Sequence, residues 1–356
     1  MSISSRSSSL PGVLGSLALI ALLGGAGMTR AQAEESVRRS NGILYQGTVV
    51  RFDDRGVVIR DKNGKEEEIP TEEIVELNLG LSVAQGRADV ALANGDFTQA
   101  AELFLQAAQG ESRPWALRRI EIGLLDALRL SGQHLEAAEL FLEIAAERDD
   151  PAFMARAPLV WIDGTTIDEK ALEQARQWLA PTASPMQRLL GASWLVDGAR
   201  SASAREALDK LRTQPDRRIG SMARAQYLRA SANPPSDEEL RQFHDLIETL
   251  PTAARKGPQF VYAQALEANG KPVDAALAYL WVPMVYDQER SELAAASLYH
   301  AARNSKKAGL NADATRLLDE LAKKYPESPW AARAERANHG SDDPRDIDGD
   351  GSSSGG

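Results

Sequence analysis

A phrase that returns along the chain about every three dozen residues is the feature that most limits what it can fold into. Its first clear copy reads Ala93-Asn94-Gly95-Asp96-Phe97-Thr98-Gln99-Ala100-Ala101-Glu102-Leu103-Phe104. The second reads Ser131-Gly132-Gln133-His134-Leu135-Glu136-Ala137-Ala138-Glu139-Leu140-Phe141. Two more run from Asn269-Gly270 through Ala275-Ala276 to Tyr279, and from Ala308-Gly309 through Ala314 to Leu318. Each places a glycine (Gly95, Gly132, Gly270, Gly309) five residues before an alanine (Ala100, Ala137, Ala275, Ala314). A large apolar residue (Phe104, Phe141, Tyr279, Leu318) follows four residues later. Glycine enters a left-handed turn at no steric cost, and the i, i+4 spacing stacks the alanine and the large residue on one helix face. Each copy therefore predicts two helices joined by a tight turn. The alanine lets them approach, and the large side chain fills the gap. Such hairpins cannot bury their apolar faces alone and must stack.

Weaker copies lie between the clear ones. Ala175 with Leu179, Ala207 with Leu211 and Leu240 with His244 keep the spacing. With these as markers the steps are 37, 38, 32, 33, 35 and 39 residues, which predicts about seven hairpins over residues 82–337. Pro234-Pro235 marks a break, after which Ser236 and Glu239 form a capping box. Pro283 is expected to break or kink a helix, while Pro114 and Pro329 suit first helical turns. Trp178, Trp194 and Trp281 are expected in the core.

This pattern resembles the tetratricopeptide repeat. The resemblance implies a mainly α fold, a superhelix of hairpins whose first helices line a concave face for proteins or peptides. Carried onto this chain, it places contacts at Arg119, Asp126, Arg129, Gln264, Tyr299 and Arg303. The Lys and Asn pair with which some members clamp a peptide carboxylate is absent, so that specificity does not carry over. Most units also lack the family's Trp or Leu-Gly pair in the first helix.

Residues 42–79 have another texture. Leu44, Gln46, Thr48, Val50 and Phe52 share one parity, and Tyr45, Gly47, Val49 and Arg51 the other, in a β-branched stretch. Asp53-Asp54-Arg55-Gly56 turns the chain, Val57-Val58-Ile59 resumes it, and Asp61-Lys62-Asn63-Gly64 signals a hairpin. Residues 66–69 read as the returning strand, Thr71-Glu72-Glu73 as one helical turn, and residues 74–77 as a last short strand. The order and turn spacing resemble small antiparallel β modules of the SH3-like and Sm-like kind. A piece this small lies near the limit of independent stability and is expected to pack on the helices behind it.

Residues 1–33 read as a secretory signal peptide, with Arg6, an apolar run over 13–23, and small Ala31 and Ala33 flanking Gln32. The run is shorter than the ~20 residues a membrane crossing takes. Membrane contact is thus expected only through this segment, were it left uncleaved. The chain has no cysteine, which removes lipid attachment, disulfides, thiolate zinc sites and cysteine nucleophiles together. With 51 acidic and 41 basic side chains the net charge is −10, which argues against nucleic acid as partner. The four histidines, His134, His244, His300 and His339, lie far apart. No metalloprotease, P-loop or dinucleotide-binding motif occurs, and Gly351-Ser352-Ser353-Ser354-Gly355 matches a nucleophile elbow only in letters. No catalytic residue, cofactor or metal is therefore expected. Residues 338–356 read as an acidic, Gly/Ser-rich tail. Asp346, Asp348 and Asp350 copy the first half of a calcium loop whose final acid is missing. The chain is expected to be a periplasmic or secreted, non-enzymatic scaffold or adaptor of the bacterial cell envelope, binding proteins through the concave face. The rival expectation is a peptidoglycan- or glycan-associated accessory protein, which would present aromatic rings for sugar stacking.

Overall fold

A computed structural model describes residues 35–53, 55–148, 150–197, 201–231, 233–287 and 291–338. The expected signal segment 1–33 and the calcium-loop-like tail fall outside the described residues. The chain divides into two compact units, Met1–Leu140 and Phe141–Gly356.

The first unit opens with a five-stranded antiparallel sheet. Its strands are β1 (Glu35–Arg39), β2 (Leu44–Asp53), β3 (Gly56–Arg60), β4 (Glu66–Pro70) and β5 (Ile74–Asn78), in the order β4-β3-β2-β1-β5. The first half of β2 pairs with β1, Gln46 opposite Ser36, and the second half with β3, Phe52 opposite Val57. A register shift between Val49 and Arg51 lies within the half paired with β3; irregularities of this kind bend a strand. The expected helical turn is present at Thr71–Glu73, and Gly64 of the expected hairpin has φ +82°. The sheet begins earlier than the sequence suggests. β1 carries only Val37 as an apolar residue, too little alternation to read as a strand, yet it sits between β2 and β5.

Four α-helices follow: α1 (Val83–Asn94), α2 (Phe97–Gln109), α3 (Pro114–Leu130) and α4 (His134–Ala146), the last running into the second unit. Val37, Val49, Val57, Ile59 and Ile69 of the sheet share one core with Leu79 and with Trp115 and Ala116 of α3. The sheet thus completes its core on a helix. Trp115 Nε1 donates to the carbonyl of Val49 at 2.8 Å, pinning α3 to the bend of β2.

The second unit continues with α5 (Glu169–Trp178), α6 (Pro185–Leu195), α7 (Ser201–Leu211), α8 (Arg217–Arg229), α9 (Asp237–Glu248), α10 (Lys256–Ala268), α11 (Pro272–Trp281), α12 (Glu292–Lys307), α13 (Asn311–Lys324) and α14 (Pro329–Asn338). The described residues thus hold fourteen α-helices behind a small sheet. The turn glycines of the four clear copies all have positive φ: +90° at Gly95, +76° at Gly132, +68° at Gly270 and +79° at Gly309. Their alanines are buried, and Phe104, Phe141 and Tyr279 lie almost fully inside. The capping box of Ser236 and Glu239 forms at the start of α9. Pro114 and Pro329 open α3 and α14.

The weaker copies keep their expected register only in part: Ala175, Leu211 and Leu240 are buried, but Leu179, Ala207 and His244 are not. Ala207 is half-buried, and the buried stripe of α7 is Ala204, Leu208 and Leu211. On α5 it is Ala171, Ala175 and Trp178, while on α9 His244 is exposed and Phe243 points inward with Leu240 and Ile247. On α7 several alanines offer i, i+4 pairs, so spacing alone does not choose between Ala204 and Ala207. With Ala171 and Ala204 as markers the steps become 37, 34, 33, 36, 35 and 39 residues.

Trp281 and the hairpin of α5 depart from expectation, while Pro283 interrupts its helix as expected. Trp281 is half exposed, whereas Trp178 and Trp194 are buried as expected. At Pro283, which has no N–H, the helix widens into a π-turn (Val282–Tyr286) closed by the Asp287 N–H on the Val282 carbonyl at 2.9 Å. One hairpin has no first helix among the described residues. Where the repeat calls for one before α5, the chain makes a 3₁₀ turn (Pro151–Arg156) and then runs without regular structure to α5.

Candidate functional site

The expected contact residues fall into two groups. On α3, Arg119 pairs with Asp89 of α1 at 3.1 Å. Arg129 and Asp126, one turn apart and nearly buried, approach to 3.5 Å. This trio is engaged within its own unit. In the second unit Gln264 of α10 is half-buried, and the Arg303 guanidinium lies 5.9 Å above the Tyr299 ring on α12. Tyr299 also meets Trp330 of α14 at 5.3 Å.

Close to Tyr299 lies a polar knot on α10–α12. Glu267 accepts from Lys307 Nζ at 2.6 Å and from the Tyr279 hydroxyl at 3.2 Å, and His300 Nδ1 stands 3.6 Å away. Burial alone would raise the Glu267 carboxyl, but His300 and Lys307 outweigh it and hold the acid far below the usual range. Burial, helped by that carboxylate, pushes Tyr279 well above the ordinary phenol. The His300 ring is enclosed by Tyr279 (5.2 Å, stacked), Trp330 (5.4 Å), Tyr299 (5.7 Å) and Phe260 (5.9 Å). An acid, an imidazole and a phenol side by side are the materials of proton transfer. Here the Glu267 carboxyl is held well below its usual range and Tyr279 is fully buried, and the contacts of the cluster join α10, α11 and α12. Among the described residues no group of three or more His, Asp and Glu could hold a metal ion. Nor among them is any helix long and apolar enough to cross a membrane.

The most site-like arrangement carries no recognised motif. Residues 157–163 cross α6, α8 and α10, which pack side by side, without regular secondary structure. Trp194 Nε1 of α6 donates to the Pro158 carbonyl at 2.7 Å. The Val160 N–H donates to Ser193 Oγ at 2.9 Å, and its carbonyl accepts from Gln226 Nε2 of α8 at 2.8 Å. Trp161 lies against Gly257 of α10, where a Cβ would stand 2.1 Å from the indole, so only glycine leaves room for the ring. Asp163 accepts from Arg229 Nη1 at 2.9 Å. Arg229, its side chain fully buried, also holds Asp197 at 2.8 Å, the Ser193 carbonyl at 2.9 Å and Gln226 Oε1 at 3.1 Å. Desolvation raises the Asp163 carboxyl; Arg229 opposes that and Asp197 adds to it. The apolar run Leu159-Val160-Trp161-Ile162 between Pro158 and Asp163-Gly164 was the signal in the sequence for a buried stretch.

A second surface lies on the outer side of α11. Val273, Leu277 and Trp281 follow one another at i, i+4 and i+8, and Met284 and Val285 of the π-turn extend the stripe. All five are well exposed, Met284 by 75%. The Trp281 ring stacks on Tyr286 at 6.0 Å.

No family model matches the chain, and a search of curated proteins returns no match. What the chain does must therefore be read from how its own residues are arranged.

Proposed function

We propose that the protein is an exported, non-enzymatic interaction scaffold of the bacterial cell envelope, with a tetratricopeptide-like array of hairpins as its binding body. The observation that carries this reading is the apolar stripe Val273, Leu277, Trp281, Met284 and Val285. Contiguous large apolar side chains exposed on a helix mark a place another macromolecule covers. Gln264, Tyr299 and Arg303 supply polar and aromatic contacts on the first-helix side. Export is supported by the signal-like residues 1–33, and a partner other than nucleic acid by the acidic balance.

The test is photo-crosslinking in the native host from position 277, with position 75 of β5 as exposed control, followed by identification of the adducts. A defined envelope protein captured at 277, and lost in Trp281→Ala, is the expected result. Adducts that do not differ between the two positions would reject the scaffold. Export is read separately: mature protein from the envelope begins after Ala33, and retention of Ser2 would overturn it.

The Trp281–Tyr286 stack favours one other reading, glycan association, because a half-exposed indole is a platform for a sugar ring. Retention of the purified chain on cell-wall sacculi, abolished by Trp281→Ala, would favour this reading over the first.

A further inference from the structure

The run 157–163 belongs by sequence to the hairpin of α5, yet it packs on the hairpins that follow. A buried backbone must find hydrogen-bond partners, and a strand normally finds them in a neighbouring strand. Among the described residues no strand lies beside this run. The Pro158 carbonyl and both backbone groups of Val160 are met by side chains, Trp194 and Ser193 of α6 and Gln226 of α8, while the Leu159 N–H turns back to the Ala157 carbonyl at 2.7 Å. Ser193 and Gln226 are almost wholly buried, and Arg229 orients the Gln226 amide through its Oε1 while also binding the Ser193 main-chain carbonyl. Such a network reads the backbone at Val160 without regard to side chain. Selectivity enters at two positions. The indole of Trp161 fits the slot left by Gly257, and the Asp163 carboxylate meets the Arg229 guanidinium. This is how a groove holds an extended peptide: main-chain hydrogen bonds supply affinity and side-chain pockets supply selectivity.

The run is also set apart from regular structure. From Ala157 to Asp168 the chain forms neither helix nor strand, in a place where the repeat calls for a helix. A loop of this length inside a compact domain usually serves a function.

We infer that the face of α6, α8 and α10 is a peptide-binding site whose ligand is a stretch of chain carrying tryptophan and, two residues on, a carboxylate, and that residues 157–163 occupy the site until such a stretch displaces them. This rests on the scaffold reading, which it deepens by naming the chemistry of the ligand.

The test uses the full chain and a synthetic peptide of sequence Ala-Pro-Leu-Val-Trp-Ile-Asp-Gly-Thr, copied from residues 157–165, with a copy lacking the indole and carboxylate as control. Amide hydrogen exchange of the wild-type chain is followed in rising denaturant. Amides 159–163 are expected to open at denaturant levels that leave α8 and α10 protected, and the peptide, not the control, is expected to hold them open. In Trp161→Ala the internal occupant is weakened, so the peptide should bind on the order of tenfold more tightly than to wild type. If amides 159–163 exchange only together with α8 and α10, and the peptide changes nothing, the run is a fixed part of the core and the inference fails. That outcome is measured on the wild-type chain and holds even if Trp161→Ala does not fold. A partner crosslinked at position 277 together with an inert peptide would leave the scaffold reading intact and remove this one alone.

Discussion

The sheet of the first unit and the irregular run of the second are each held on helices by a tryptophan and an arginine, but they satisfy their backbones in opposite ways. In the first unit the strands pair with one another, and α3 adds one indole bond to Val49. Arg113 then closes the seam: it pairs with Glu35 and Glu111, donates to the Leu79 carbonyl at 2.9 Å, and stacks 4.8 Å over Trp115. In the second unit the run has no ladder, and each of its contacts with α6 and α8 described above comes from a side chain. A sheet can lose a side chain and keep its backbone bonds. A lone stretch of chain loses its backbone bonds with the side chain.

The largest effect expected from breaking this comparison is at Trp115. Trp115→Ala removes a buried ring shared by sheet and helix and should cost about 3–5 kcal/mol. Thermal melting should record the loss, and exchange of β2 and β3 amides should accelerate while α12 and α13 keep their protection. An unchanged melting temperature would mean that the sheet does not depend on α3.

Gln226→Leu comes next. It keeps the bulk of a fully buried side chain and removes the donor to Val160, leaving that carbonyl only the long 3.4 Å contact from Ser193 Oγ. A buried acceptor stripped of its donor costs about 1–3 kcal/mol. The signature is local: amides 159–163 should lose protection with the sheet untouched. Equal acceleration in both units would count against the separate standing of the run.

Charge offers a third comparison, between Glu111 and Glu267. Both acids are buried enough to be raised, and both are instead lowered, Glu111 by Arg113 and Glu267 by His300 and Lys307. A carboxyl lowered in the native state stabilises the fold above its ordinary pKa, near 4.5 for glutamate, and that contribution is lost as pH falls toward the native value. Denaturant melts from neutral pH downward should therefore show a flatter acid limb in Glu267→Gln than in wild type, and a smaller flattening in Glu111→Gln. Identical limbs in all three chains would show that neither acid is held by its partners.

What could be read from the sequence follows the same division. Gly95, Gly132, Gly270 and Gly309 announce their turns because glycine and alanine leave few alternatives at those positions. Ala207 misled because a neighbouring alanine, Ala204, competes for the same role. Trp281 misled because an indole at repeat spacing looks like core whichever way it points. β1 escaped because its partners supply the pairing and it needs only Val37 facing inward. The groove of α6, α8 and α10 was out of reach for a different reason. Ser193, Gln226 and Arg229 lie 33 to 66 residues from the groups they bind, and nothing local marks them.

The smallest effect is the sharpest control. Arg38 of β1 and Glu76 of β5 pair at 2.8 Å, bridging two strands much as Gln226 bridges helix and run, but both are exposed. Exposed pairs contribute about 0.2–1 kcal/mol and are screened by salt. The strands under them are already joined by backbone bonds, Val37 standing opposite Leu77. Arg38→Ala should therefore shift the denaturation midpoint only slightly, and less in high salt, with β1 and β5 amides as protected as before. A loss comparable to that of Gln226→Leu would mean that this sheet, too, depends on its side chains for cohesion, and the contrast between the two units would no longer hold.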